Sequence, residues 1–429
     1  MAAEKMRKFM TRPLPLLSLV YVALTGWSLL ATPSMAAAQT AKAPARSTAA
    51  PNLSPAEFAA CLEGFWPEAS SAGVTRAAFD AGLSGVTYDP RIVPQTGQQS
   101  EFSQAMWDYL ASAGSPARIT RGKAQASTYA SVLEALERQY GVDKRIILAV
   151  WGMESNFGSS TGGTYVLRAL TTLACARYRG DYFRDEVIKA LKILQEGHID
   201  RDEMLGSWAG AMGQTQFMPS SFVKYAVDYD GDGHKNIWTS IPDALASTAN
   251  FLHKEGWTDG LPWGFEITLP KGFELARYGR SNPQSFSAWT SLGVARPGGE
   301  AMPARGEGAL YLPIGIEGPA FLITSNFYVI KAYNFSDSYA LGVGHLGDRI
   351  FGGAPIAAAW PKSQKRLSNA ELKEVQERLT AMGYDVGKPD GRPGIKTSEA
   401  LRDFQAKAGM VADGYATPLV LTRLKTRAH

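Results

Sequence analysis

The sequence predicts a mainly helical protein of the α+β kind, with a small β-containing insertion and a small three-helix unit at its C-terminus. Three observations support that expectation. Apolar residues recur at helical spacing in successive stretches between 54 and 253, and again over 339–350. Between 257 and 320 glycine and proline are frequent and the strand-like pieces are short, at 265–269 and 309–316. A polar, basic run at 360–369 then reads as a linker to a last unit, residues 370–429.

Taken in order, the chain opens with basic residues up to Arg12, an apolar run over 14–31, and Ala36-Ala37-Ala38 before Gln39. That order is expected of a cleaved export signal over 1–38. The run could instead be a retained anchor, since its length is borderline for a bilayer span. Pro15, Ser18, Thr25 and Ser28 interrupt it and, with the small-residue site, favour cleavage. Residues 39–53, rich in Ala, Thr and Pro, form a flexible leader. A first helix starts at Pro55 with Phe58, Leu62 and Phe65 on one face, and another over 129–140 aligns Val132, Leu133, Leu136 and Tyr140.

The stretch 146–158 (IILAVWGMESNFG) holds one ionisable side chain, Glu154, at the end of a helix that is apolar all round. Asp143 is placed to cap its start, and Ser155-Asn156 with Gly158 end it. A further helix follows over 182–196, with Val187, Ile188, Leu191 and Leu194 inward. Residues 207–221 are glycine-rich and short of charge, which suits backbone lying close to a ligand or another helix. Helices over 241–253 and 339–350 flank the insertion. In the last unit, helices are expected over 370–382 and 397–408 and from Pro418, around a loop at 383–394.

At 429 residues the chain exceeds one ordinary domain. Its net charge of +4 is small and scattered, so nucleic acid is not implied, although an acidic polymer would suit it. Five scattered histidines and two distant cysteines give no zinc site, and no phosphate loop, dinucleotide fingerprint or serine elbow is present, so no organic cofactor is expected. Cys61 and Cys175 could pair after export, or Cys175 could be a buried thiol.

Burial disfavours the charged form of a carboxyl, which suits Glu154 to general acid work; it could equally hydrogen-bond backbone and do nothing more. Glycosidases usually pair two carboxylates, and Asp181, Asp185, Glu186, Asp200, Asp202 and Glu203 all follow, with no spacing that selects one. Asp228, Asp230 and Asp232, with Gly233 and the carbonyl of His234, place oxygen donors as a hard cation such as Ca²⁺ requires. Thr239 stands where a glutamate would complete that loop, and Asp243 could supply the carboxylate; a metal-free Asp-Gly turn is the alternative. Aromatic and polar residues alternate at 326–328 and 333–336, as in a sugar groove or in half-buried core.

Together, Glu154-Ser155-Asn156-Phe157-Gly158, the segment from Ser207 to Ser221, the aspartate loop and Tyr333-Asn334 resemble the membrane-bound lytic murein transglycosylase B family. Glu101-Phe102 and Trp107-Asp108-Tyr109 also fit. In the last unit Val375-Gln376, Gly383-Tyr384, Asp390-Gly391, Phe404-Gln405 and Asp413-Gly414 resemble a helical peptidoglycan-binding domain.

The resemblance implies a lysozyme-like catalytic domain over 54–359, joined through 360–369 to the wall-binding domain. It implies cleavage of the β-1,4 bond between N-acetylmuramic acid and N-acetylglucosamine, leaving a 1,6-anhydro end, with Glu154 as sole acid/base. By motif position, Ser207 and Gln216 would hold sugar groups beside Glu154. Tyr333, Asn334 and Tyr339 would line the cleft floor, and Tyr109 and Arg179 would contact outer sugars and the stem peptide. The same resemblance makes the aspartate loop a calcium site, with Asp243 its distal ligand. The lipid-bearing cysteine of lipidated members is lacking. A soluble periplasmic monomer acting on glycan strands is therefore expected, with no nucleic-acid partner and no membrane anchor after cleavage.

Overall fold

The computed structural model describes residues 53–96 and 104–426, so the expected signal peptide and nearly all of the leader lie outside the described residues. A run of short helices leads in: α1 (Pro55–Glu63), α2 (Trp66–Ser71), α3 (Arg76–Leu83), α4 (Ile92–Gln95) and α5 (Met106–Ala113). Ser54 caps α1 in a capping box with Glu57. Three longer helices follow, α6 (Pro116–Thr128), α7 (Ala130–Tyr140) and α8 (Lys144–Ser155).

Helix α8 is the axis of the main core. Ile146 to Trp151 are each at most 2% exposed, so its sides are covered all round. Asp143 caps it, accepting from the Arg145 N–H at 2.9 Å. The cover comes from α6, α7, α12 (Ile241–Lys254) and, most extensively, α15 (Asp337–Ile350). Beside it α9 (Val166–Cys175) and α10 (Tyr182–Gln195) pack together, and α11 (Pro219–Tyr225) closes onto α10 and α12. A two-residue ribbon pairs β1 (Thr164–Tyr165) with β2 (Leu205–Gly206). Cys61 and Cys175 form a disulfide that ties α1 to the last residue of α9.

The insertion has its own core of Phe265, Phe286, Trp289, Leu310 and Leu322. Its sheet is antiparallel in the order β3, β6, β5, β4, built from β3 (Gly264–Ile267), β4 (Gln284–Ser285), β5 (Glu307–Tyr311) and β6 (Ala320–Ile323), with α13 (Phe286–Ser291) after β4. β6 runs straight into α14 (Ser325–Asn334), which Thr324 caps, and α14 leads to α15. A third core, with Val375, Leu401, Phe404 and Leu424 among its members, is closed by α16 (Asn369–Ala381), α17 (Ile395–Lys407) and α18 (Pro418–Thr426). The fold is thus mainly α with a small sheet, as its periodicities predict. The strands expected at 265–269 and 309–316 appear as β3 and β5 with ends displaced by one to five residues, and β6 joins the sheet although the sequence does not separate it from the aromatic stretch behind it.

Candidate active site

Glu154 is the penultimate residue of α8 and is half-buried. The chain leaves the helix through three left-handed residues in a row, Asn156 (φ 50°), Phe157 (φ 59°) and Gly158 (φ 80°). Non-glycine residues rarely adopt that region, and such strain persists only where surroundings fix it. Here Ser155 fixes it: its buried Oγ donates to the Gln214 carbonyl at 2.6 Å and accepts from the Gly158 N–H at 2.9 Å. Gly158 has to be glycine, because a Cβ there would run into the Gln214 side-chain amide.

Gln214 in turn accepts from Trp151 Nε1 and donates to the Trp238 carbonyl, both at 2.9 Å. It therefore stitches the glycine-rich segment 207–217 to α8. In that segment the Ser207 Oγ accepts from the N–H groups of Ala209 and Ala211. Gln216, itself left-handed at φ 53°, donates from Nε2 to the carbonyls of Thr161 and Gly213 at 2.9 Å. Both side chains thus shape the loop beside the segment that follows α8.

The opposite wall comes from α14 and α15. Tyr333 donates to the Thr215 carbonyl at 2.6 Å, and Tyr339 donates to Glu154 Oε1 at 2.5 Å. The two rings stack at 6.2 Å with 13° between their planes. Burial, and then the charge of Glu154, raise both phenols well above their ordinary pKa, so both stay protonated and donate. Asn334 ends α14, half-buried. Tyr109, on α5, lies against Gly342 of α15 beside Met153. Arg179 is exposed in the left-handed turn between α9 and α10, its guanidinium 5.4 Å from the Tyr178 ring centre.

Among the downstream carboxylates Glu186 is buried, but its two oxygens accept from the Ser220 N–H and hydroxyl at 2.8 and 2.6 Å. That leaves it a structural cap for α11. Asp181, Asp185, Asp200, Asp202 and Glu203 are exposed. The arrangement offers a half-buried carboxyl that accepts at Oε1 from a neutral phenol, a setting in which a proton can be moved.

In the aspartate loop, carboxylate oxygens of Asp228, Asp230 and Asp232 lie within 4.8 Å of one another. Loop N–H groups orient them: Gly231 and Gly233 donate to Asp228, and His234 donates to Asp232. Asp243 is fully buried and lies outside that trio. Its oxygens accept from the N–H groups of Tyr229, Asp230 and Asn236, so it anchors the loop from behind.

The residue pattern of the Transglycosylase SLT domain family matches residues 57–348. The chain belongs to that family. A putative peptidoglycan binding domain matches residues 368–424 of this SLT-domain protein. It is 35% identical over 244 residues to membrane-bound lytic murein transglycosylase B of Escherichia coli, covering 55% of this chain and 64% of that one, so it spans less than two thirds of that relative. Its structure matches SltB3 from Pseudomonas aeruginosa, solved with NAG-anhNAM-pentapeptide, at a TM-score of 0.80 and 42% identity, covering 86% of this chain and 99% of the other. Slt35 from Escherichia coli, solved in complex with calcium, matches at a TM-score of 0.56 and 27% identity over 69% and 92% of the two chains. The SLT-domain core is therefore the lysozyme-like fold that the motifs around Glu154 and Ser207 lead one to expect.

The motifs of this SLT-domain protein mark Glu154 and the tyrosines, but they do not single out Gln214 or Thr215. The paucity of charge in 207–221 is the signal that points to that segment; which of its amides turns inward depends on Trp151 and Trp238, distant in sequence.

Proposed function

We propose that this chain is a lytic transglycosylase of peptidoglycan, cleaving the β-1,4 bond between N-acetylmuramic acid and N-acetylglucosamine with Glu154 as its sole acid/base. The observation that carries this reading is the 2.5 Å hydrogen bond from a buried, protonated Tyr339 to Glu154 Oε1, at a carboxyl with Glu186 already committed elsewhere.

Protonated Glu154 gives its proton to the glycosidic oxygen as the C1–O bond breaks, and N-acetylglucosamine leaves as the alcohol. The Tyr339 hydroxyl stabilises the resulting carboxylate. The muramoyl C6 hydroxyl then attacks C1 and returns its proton to Glu154, closing the 1,6-anhydro ring. No water is consumed. An attacker within the same sugar needs no second carboxylate to position it.

Tyr333, Asn334 and Tyr109 line the sugar cleft in this reading. Ser207 and Gln216 shape its other wall, and because the protein itself uses the Gln216 amide nitrogen, its amide oxygen is the group that meets a sugar N–H. Arg179, exposed, meets the acidic stem peptide. Asp228, Asp230, Asp232 and the His234 carbonyl hold a calcium ion, supplying loop rigidity rather than chemistry; three converging carboxylates fit such an ion, and Asp243 supports the loop. Residues 54–359 form the catalytic domain and 370–429 the wall-binding one. Export through residues 1–38 delivers a monomer to the periplasm, and no helix of the described residues is long and apolar enough to cross a membrane.

Digestion of purified sacculi followed by mass spectrometry tests the proposal. Anhydro-muropeptides are expected, and E154Q should lower their release by about 10³-fold while leaving the melting temperature in place. Reducing ends would mean hydrolysis instead, and equal release by E154Q would remove Glu154 from the chemistry.

A further inference from the structure

The guanidinium of Arg280 is buried where four parts of the molecule meet. Arg280 follows the insertion's turn at 275–277, is 3% exposed, and lies against the rings of Tyr311 from β5 and Phe327 and Tyr328 from α14. Its two terminal nitrogens donate to the two oxygens of Asp337 at 2.6 and 3.1 Å, a bidentate pairing. Lys331 donates to the same carboxylate at 2.7 Å. Asp337 is the first residue of α15, and Tyr339 sits two residues on, its own N–H bonded to the cap Ser336. The grip on Asp337 thus sets where the first turn of α15 begins, and that turn presents the phenol to Glu154.

The C-terminal module reaches the same point. The Arg280 N–H donates to Glu399 Oε1 of α17 at 3.1 Å, and Glu399 is paired through its other oxygen with the buried Arg402 at 2.8 Å. Gly279 admits this contact, since a Cβ there would lie 2.5 Å from Glu399 Oε1. A second contact repeats the pattern: the Ile316 N–H donates to Asp413 at 3.2 Å, and a Cβ on Gly315 would lie 2.5 Å from that carboxylate.

We propose that Arg280 is a positioning residue for the reaction, and that the docked C-terminal module, through Glu399, steadies the Arg280–Asp337 pair that sets Tyr339 against Glu154. The module then serves the chemistry as well as wall binding. The inference rests on the roles of Glu154 and Tyr339 given above, but it fails separately: a wild-type chain that releases no anhydro-muropeptides sinks those roles, whereas an active wild type with indifferent variants sinks only this one.

The test uses the full chain and soluble glycan oligomers bearing stem peptides, so that wall adsorption does not enter. R280M and D337N are expected to lower kcat about tenfold with KM within twofold. They should also move the alkaline limb of the pH profile as Y339F does, and R280K should recover part of the loss. G279V and E399A, which loosen docking while leaving the side-chain groups of Arg280 and Asp337 in place, should lower kcat by a smaller factor, about threefold, in the same manner. Full kcat in E399A and G279V would overturn the module's part. Loss of kcat in D337N without movement of the pH profile would overturn the positioning role, and D337N, which keeps the side chain's shape, decides the matter should R280M fail to fold.

Discussion

At the scale of single residues, the Tyr339 hydroxyl does two things with one bond. It fixes the Glu154 carboxyl, and it favours its ionised form by donating to it. Y339F should therefore lower kcat by roughly tenfold, about the worth of one charged hydrogen bond. It should also shift the alkaline limb of activity upward, because a carboxylate that loses a donor holds its proton to higher pH. An unshifted limb in a pH–rate profile would show that the phenol does not govern the proton. Glu154 is legible in the sequence because it is one charge in a run of apolar residues, and composition alone exposes it. Gln214 is not legible: its amide bridges two tryptophans 63 and 24 residues away, which no local pattern encodes.

At the scale of elements, α15 carries two ionisable groups that prefer to be neutral. Burial raises Asp348 to about 6 despite Arg145, and burial with Arg349 lowers His345 to about 4. For Asp348 the folded value lies above the unfolded one, so its contribution is present below about 3.9 and is lost as pH rises through about 6. For His345 the sign is opposite, and stability is lost as pH falls from about 6.5 through about 4. Measured against wild type, melting curves should show H345Q losing stability as pH rises across that window and D348N losing it as pH falls. For D348N the difference should amount to about 1–2 kcal/mol, since Asp348 keeps 30% of its side chain in contact with solvent. Curves parallel to wild type for both variants would refute the assignment.

The aspartate loop makes a second prediction at this scale. Calcium should raise the melting temperature, and D228N with D232N should abolish the rise; equal curves with calcium and with chelator would count against a bound ion. That loop is legible because its spacing is local. The boundary between β6 and α14 is not, since the apolar run passes through both, and only the cap at Thr324 divides them.

At the scale of the whole molecule, the Cys61–Cys175 disulfide closes a loop with 114 residues of separation. Chain-entropy arguments give such a crosslink about 2–5 kcal/mol, so C61S with C175S should lower the melting temperature markedly, read by calorimetry under non-reducing conditions. The sequence leaves this pairing open because nothing local brings α1 to the end of α9. The three cores were largely readable from composition, but their mutual seating was not: it depends on glycines 279 and 315, which look like any loop glycines until the acids opposite them are seen. Those two smooth spots work as a keyed socket. Anyone splicing a foreign C-terminal unit onto this chain would have to reproduce carboxylates equivalent to Glu399 and Asp413 at the matching height, or accept a chimera whose two halves merely share a tether.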